Sequence, residues 1–166
     1  MKNFILLLIG LYFVSCGENL NKNAAKLWDD GQKYRTEDKL KESIVSYRTI
    51  INKYPSDHFA VQAQFQIADI YLNDVKDFDF AVEEFKKVVD QYPNNNLAKK
   101  SLFMIAYIYN NYLNAYSDAI TAYNLFRKQY PNDELIPSVE YELDGLKDIQ
   151  STIDSLNSIV NKKSNI

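Results

Sequence analysis

The sequence predicts an all-α fold, an α-solenoid in which similar helix hairpins follow one another along the chain. The dipeptide Tyr-Pro returns at a constant interval, at Tyr54-Pro55, Tyr92-Pro93 and Tyr130-Pro131. Between these dipeptides, apolar residues recur at spacings of three and four, which place their side chains on one face of a helix. We therefore expect three hairpins, followed by a capping helix at their C-terminal end.

The first stretch of the chain, MKNFILLLIGLYFVSC, has the layout of a secretory signal, with a lysine ahead of an apolar run from 4 to 14. The run is shorter than the ~20 residues that a helix needs to cross the hydrocarbon core of a membrane. The letters FVSC resemble the bacterial lipobox, in which signal peptidase cuts before a cysteine that carries lipid. This resemblance implies a lipoprotein signal peptide at 1–15, lipid attachment at Cys16 and a polar tether at 16–23. A plain signal peptide with an incidental cysteine is the alternative.

The residue after the predicted lipid site is Gly17. In Gram-negative lipoproteins an aspartate at that place tends to retain the protein in the inner membrane. The resemblance therefore implies the outer membrane, with the folded part on the periplasmic face. Acyl chains would hold the protein firmly, because each buried CH₂ group contributes ~0.8 kcal/mol.

Each predicted hairpin has a helix A and a helix B with aligned positions. Helix A carries a small residue and, three positions later, a tyrosine: Gly31 and Tyr34, Ala68 and Tyr71, Ala106 and Tyr109. Helix B carries a small residue, an aromatic four later and an apolar residue three beyond it: Ser43, Tyr47 and Ile50; Ala81, Phe85 and Val88; Ala119, Tyr123 and Phe126. The small residues let the two helices cross closely, and the aromatics fill the volume beside the crossing. The loop of the first hairpin is one residue shorter than the others.

The helix ends are marked by turn and cap residues. Proline lacks an N–H and clashes with the preceding turn, so each helix B ends at its Tyr-Pro. Ser56-Asp57, Asn94 to Asn96 and Asn132-Asp133 follow and offer N-caps for the next helix A. The polar stretches RTEDK, NDVKDFD and NAYSD are predicted to join helices A and B.

A last predicted helix begins near Pro137, a residue that suits the first helical turn. One apolar stripe runs along it: Val139, Leu143, Leu146, Ile149, Ile153, Leu156 and Val160. We expect this helix to seal the last hairpin. The alternative is that the part beyond Ile149 forms an interface with a partner helix.

The small residues, the aromatics and the proline together resemble the tetratricopeptide repeat over residues 24–148, with 149–166 as a helical extension and tail. The repeat interval is longer than the ~34 residues usual for that family. Asp30 and Gln64 stand where apolar residues are usual. The resemblance implies a curved stack of hairpins whose helices A line a concave groove.

The same resemblance assigns positions to that groove. An aromatic residue stands three positions before the small residue of each helix A, and the same interval continues into the last helix: Trp28, Phe65, Phe103 and Tyr141. Further candidates on the same face are Arg35, Asp69, Leu72 and Tyr107, with Gln32 and Asn110 nearby. We predict that these residues bind a protein partner, since a few buried aromatics typically dominate an interface. Ordinary packing between repeats is the alternative for the aromatic column.

Composition narrows the function classes. The net charge of −3 lacks the basic footprint of a nucleic-acid binder. One histidine and one cysteine exclude an intrachain disulfide and a zinc site with several such ligands. We expect His58 to face solvent and predict no catalytic residue, metal or cofactor, since no phosphate loop or nucleophile elbow occurs. An enzyme or small-ligand binder that uses the groove is the alternative class.

Two bacterial protein families look similar. One is the lipoprotein of the outer-membrane β-barrel assembly machinery, which combines a lipid cysteine with such repeats. The other is the periplasmic cell-division coordinator, whose repeats share the style of AVEEFKKVVDQYP. The first resemblance implies a non-catalytic scaffold whose partners are other envelope proteins, among them barrel-assembly subunits. The second implies an adaptor for the cell-division or peptidoglycan machinery.

Overall fold

The computed structural model describes residues 23–164, which form seven α-helices and no strand. The elements in chain order are α1 (23–36), α2 (Leu40–Lys53), α3 (His58–Ile70), a π-helical segment (Tyr71–Val75), α4 (Phe78–Gln91), α5 (Asn96–Asn111), α6 (Tyr116–Gln129) and α7 (Ile136–Ser164). This confirms the predicted all-α class. No helix within 23–164 is long and apolar enough to cross a membrane.

Some predictions concern residues outside the described part of the chain. The signal peptide at 1–15, the lipid site Cys16 and the tether up to residue 22 precede it. The helix over 136–164 is described, but the side chains of Ile153, Leu156 and Val160 in the predicted stripe are not. The helix runs without a break across the boundary predicted between 148 and 149.

The chain divides into two compact units, Met1–Val88 and Val89–Ile166. In unit 1, α1 and α2 cross closely at Gly31, whose carbonyl oxygen accepts a hydrogen bond of 2.8 Å from the Ser43 hydroxyl. In the same unit, the ring of Phe65 on α3 meets the ring of Phe85 on α4 edge-on, with centroids 5.3 Å apart. Every aligned helix B position of this unit is fully buried, as predicted: Ser43, Tyr47, Ile50, Ala81, Phe85 and Val88.

Unit 2 repeats this arrangement. The aligned positions of α6 are fully buried as predicted, and they are Ala119, Tyr123 and Phe126. The first part of α7 buries its apolar stripe at Val139, Leu143 and Leu146, which confirms its packing on the last hairpin. The stripe leaves the core at Ile149, whose exposed fraction is 37%.

The turns after Tyr-Pro are closed in the same way in every repeat. The backbone N–H of the cap residue donates to the tyrosine carbonyl: Asp57 to Tyr54 at 2.9 Å, Asn95 to Tyr92 at 2.9 Å and Asp133 to Tyr130 at 3.1 Å. Each cap side chain then accepts from the N–H two residues on, that of Phe59, Leu97 or Leu135, at 2.9 to 3.0 Å. The predicted N-caps are therefore confirmed, and the cap residues recur at the same interval as the Tyr-Pro pairs.

The turns inside the hairpins share a left-handed backbone conformation that the sequence analysis did not predict. Each contains one non-glycine residue with positive φ, and the three residues follow the interval of the repeat: Asp38, Lys76 and Asn114. The next backbone N–H donates to the carbonyl of the aligned tyrosine: Lys39 to Tyr34 at 2.8 Å, Asp77 to Tyr71 at 2.9 Å and Ala115 to Tyr109 at 2.9 Å. This bond spans one residue fewer in the first hairpin, which confirms its predicted shorter loop. Because side chains of three different types occupy the left-handed position, no letter repeats there.

The N-cap of α5 can be tested by substitution. We expect Asn95→Ala to lower the free energy of unfolding by about 1 kcal/mol, because an N–H at the start of the helix loses its acceptor. Urea unfolding followed by circular dichroism measures the change. Asn94→Ala, in the exposed turn just before the cap, is the matched control. Equal losses in both variants would show that the side-chain cap contributes nothing.

Candidate partner-binding surface

In unit 1 the first aromatic of the predicted column is half-buried among other rings. Trp28 stacks on Phe59 with centroids 5.3 Å apart and an interplanar angle of 26°, and it touches Tyr47 at 5.4 Å. Phe65, the second aromatic, is 8% exposed against Phe85. Both rings therefore pack between helices, in agreement with the packing alternative for this column.

Arg35 is the centre of a polar cluster on the same unit. Its guanidinium donates to Asp69 Oδ2 at 2.7 Å, to Asp74 Oδ2 at 2.7 Å and to Gln66 Oε1 at 2.9 Å. The side chains of Arg35, Asp69 and Asp74 are about a quarter to a third exposed. The cluster ties α1 to α3, and the single positive charge of the arginine pairs with both carboxylates. Two predicted site residues, Arg35 and Asp69, are thus brought together.

Leu72, the remaining candidate of unit 1, lies in the π-helical segment and is only 5% exposed. A partner could touch neither Leu72 nor Phe65 without a rearrangement. Their roles as direct contacts remain untested predictions, and the accessible candidates of unit 1 are Trp28, Arg35 and Asp69.

In unit 2 the third aromatic also packs on helix B. Phe103 is half-buried and meets Tyr123 and Phe126 edge-on, with centroid distances of 5.9 and 6.1 Å. Tyr107, one turn further along α5, is half-buried and meets Tyr112 edge-on at 6.0 Å. The hydroxyl of Tyr123 is buried, which raises its pKa, and the nearby charge of Glu142 raises it further.

The fourth aromatic of the column is exposed instead of packed. Tyr141 on α7 is 79% exposed, the largest exposed fraction among the large apolar side chains of the described residues. It borders a groove of about 460 Å³ on unit 2, hereafter the α7 groove, which is lined by Asn110, Tyr141, Glu142, Asp144, Gly145, Leu146, Lys147, Asp148 and Ile149. The column predicted from the repeat therefore contains three packed rings and one open ring.

A polar pair at one repeat position occurs in both units. In unit 1, Arg35 on the first helix A donates to Gln66 on the next one. In unit 2, Asn110 occupies the repeat position of Arg35, and Glu142 occupies that of Gln66. The Asn110 amide donates to the Glu142 carboxylate at 2.7 Å. The sequence prediction missed Gln66 and Glu142. Extending the repeat register by one position past the aromatic column would have found them.

A second polar cluster, which the sequence did not reveal, is buried in unit 1. Glu84 on α4 is 2% exposed and accepts hydrogen bonds from Arg48 on α2, from Lys87 Nζ at 2.8 Å and from Gln64 Nε2 at 2.6 Å. Burial raises the pKa of Glu84, but these three donors outweigh burial and hold the pKa below its ordinary value. Gln64 stands where an apolar residue is usual because its amide donates to this buried carboxylate.

Within residues 23–164, the side chains that could bind a metal ion do not form a cluster. His58 is exposed as predicted, and its Nδ1 is 3.1 Å from the Asp57 carboxylate. Asp77, in the stretch NDVKDFD between α3 and α4, accepts from the Phe80 N–H at 3.2 Å and so caps the start of α4. Across residues 23–164, no group of three or more His, Cys, Asp or Glu residues is arranged to hold a metal ion.

The hairpins of both units define a class of protein, one built from helix pairs that are closed by the same two turns and cross at a small residue. Two segments, residues 62–95 and 100–133, match the family model of the tetratricopeptide repeat, and the first hairpin lies outside both. The chain therefore contains tetratricopeptide repeats, as predicted. No curated protein gives a significant match to the chain. Repeats of this kind generally bind protein partners.

Proposed function

We propose that this protein is a non-catalytic, lipid-anchored scaffold of the bacterial outer membrane that binds envelope proteins in the periplasm. Binding would use the helices A of each unit, which carry most of the predicted site residues. The observation that carries the scaffold role is Tyr141, a large aromatic side chain that is 79% exposed beside an open groove, whose lining includes Asn110 of the matched segment 100–133. Exposed apolar patches mark interaction sites, and aromatic residues are enriched among those that carry most of the binding energy.

The membrane anchor is supported by the letters FVSC and by the position of Cys16, the single cysteine of the chain. Metabolic labelling with a palmitate analogue tests it, since the wild-type chain should incorporate label and Cys16→Ser should not. A wild-type chain that remains unlabelled would remove the anchor from the proposal and leave the scaffold role standing.

The identity of the partners separates two versions of the proposal. The resemblance to the assembly lipoprotein favours outer-membrane β-barrel assembly, with its subunits and unfolded barrel proteins as partners. The repeat style AVEEFKKVVDQYP favours an adaptor for cell division or peptidoglycan machinery. Crosslinking in native envelopes followed by mass spectrometry distinguishes them by which set of proteins is recovered.

The binding face itself can be tested with a photo-crosslinking amino acid. We expect the residue at position 141 to capture a defined partner several times more efficiently than the same residue at Val45, because Tyr141 borders the groove. Val45 on α2 is also an exposed apolar residue, with 64% exposure, and it lies on a helix B. The yield of each crosslinked band on a gel gives the ratio. Equal capture at both positions would contradict binding at the groove beside Tyr141.

A further inference from the structure

The repeat position of Arg35 holds different side chains in the two units. In unit 1, Arg35 fills this position and forms ion pairs with Asp69 and Asp74. In unit 2, the position holds Asn110, whose amide is neutral, and its bond partner is the carboxylate of Glu142. A cation that is built into unit 1 is therefore replaced by a neutral group in unit 2.

The α7 groove also has room for the missing cation. Gly145 occupies the repeat position at which Asp69 stands in unit 1. A Cβ atom added to Gly145 would meet nothing within 4 Å, so the space above this residue is open. The groove of about 460 Å³ continues from there past Asp148 and Ile149.

The charge of this groove is negative. Its lining includes the carboxylates of Glu142, Asp144 and Asp148, but only one ammonium group, that of Lys147. Lys147 pairs with Asp144 at 2.9 Å. Carboxylates that line a groove draw in a complementary cation and repel an acidic segment, which gives the groove a preference among partners.

Apolar surface accompanies the charge. Tyr141 is 79% exposed and Ile149 is 37% exposed at the same groove. An aromatic face attracts an arginine or lysine head, and apolar surface accepts the aliphatic stem of either side chain. Aromatic, aliphatic and anionic groups together suit a segment that carries both basic and apolar residues.

We propose that the α7 groove binds a basic segment of a partner protein, one of whose Arg or Lys side chains lies beside Asn110 and Glu142. This partner cation takes the place that Arg35 holds within unit 1. The inference rests on the proposed scaffold function and specifies the chemistry of its ligand.

Peptide selection tests this preference without knowledge of the natural partner. The probe is a random dodecapeptide library displayed on phage, selected on the full chain in mild detergent. We expect the bound pool to become enriched in Arg and Lys next to apolar residues. A labelled peptide from this pool should bind with an affinity that falls at least tenfold between low and moderate salt. A pool enriched in acidic or purely apolar sequences, or a failure to select any binder, overturns the inference.

Asn110→Arg is the sharpest variant, because it builds the cation of unit 1 into unit 2. We expect it to weaken binding of the selected peptide at least tenfold in fluorescence anisotropy. Asn111→Arg adds the same charge one residue along α5, at an exposed position outside the groove lining, and should change binding less than twofold. Glu142→Gln should also weaken binding, whereas Asp118→Asn, an exposed acid at the start of α6, should not.

Other outcomes overturn the inference in distinct ways. Equal losses for Asn110→Arg and Asn111→Arg would mean that net charge alone attracts the peptide. Concentration-dependent self-association that Glu142→Gln abolishes would mean that a second copy of this chain occupies the groove. If the photo-crosslinker at position 141 captures a partner while no basic peptide binds, the scaffold function stands and only the ligand chemistry fails.

Discussion

Gly31→Ala should destabilise the protein by about 2 kcal/mol through overpacking of the core, although alanine is the better helix former. A Cβ atom at this position would lie 2.7 Å from Cε1 and 2.9 Å from Cζ of the Tyr47 ring. The ring is fully buried and cannot move aside freely. Overpacking of a core costs about 1 to 3 kcal/mol or more, which exceeds the gain of up to about 1 kcal/mol in helix propensity. Urea unfolding measured by circular dichroism gives the difference.

The chain provides a matched control for this substitution. Gly145→Ala places the same methyl group in α7, where nothing lies within 4 Å of it. We expect it to stabilise the protein by about 0.5 to 1 kcal/mol, since only the backbone entropy of glycine is removed. In a Tyr47→Leu background, Gly31→Ala should lose most of its cost. A neutral or stabilising effect of Gly31→Ala in the wild-type chain would show that the two helices do not depend on this close crossing.

Glu84→Ala should destabilise the protein by about 3 kcal/mol, because it breaks a buried ionic network. Removal of one partner from such a network usually costs about 3 to 5 kcal/mol, since the remaining polar groups are left unpaired in the core. The low end applies here because the side chains of Arg48 and Lys87 are partly exposed and can turn to water. Gln64 is 1% exposed and loses its carboxylate acceptor, which leaves its Nε2 with only the backbone carbonyl of residue 84, at 3.1 Å in the wild type. Unfolding in urea measures the loss, and Glu83→Ala, an exposed acid on the same helix, should change stability by less than about 0.5 kcal/mol.

The same network makes stability depend on pH in a predictable direction. The pKa of Glu84 is lowered in the folded state, so the carboxylate favours folding when it is ionised. Its contribution is complete above the ordinary glutamate pKa of about 4.3 and is lost as the pH falls through the lower folded-state value. The stability difference between the wild type and Glu84→Gln should therefore be largest near neutral pH and shrink below about pH 4. A difference that grows on acidification would contradict the assignment of Glu84 as a buried carboxylate.

Local chemistry made much of the fold predictable. The Tyr-Pro pairs stop helices because a proline lacks an N–H wherever it stands, and Asp57, Asn95 and Asp133 cap because their side chains are short acceptors. The burial of Tyr47, Phe85 and Tyr123 followed from spacings of four and three on a helix. The shared positive φ at Asp38, Lys76 and Asn114 was not predictable, because lysine lacks the preference of aspartate and asparagine for the left-handed region.

The candidate site was less predictable than the fold. The sequence alone suggests that Glu84 is an exposed acid. Only the tertiary structure, in which α2, α3 and α4 pack together, shows that Arg48 and Gln64 contact its carboxylate. The pairing of Asn110 with Glu142 likewise depends on how α7 lies against α5. These contacts join residues far apart in the chain, and helix periodicity carries no information about such distances.

The sequence by itself determined the repeat, its interval, its helix ends and the register that aligns Trp28, Phe65, Phe103 and Tyr141. Only the tertiary structure decided which of these rings is available to a partner. Phe65 is covered by Phe85 of α4, and Phe103 meets Tyr123 and Phe126 of α6, whereas no described helix follows α7 to cover Tyr141. Register is a property of the local helix, but exposure depends on what the next helix covers.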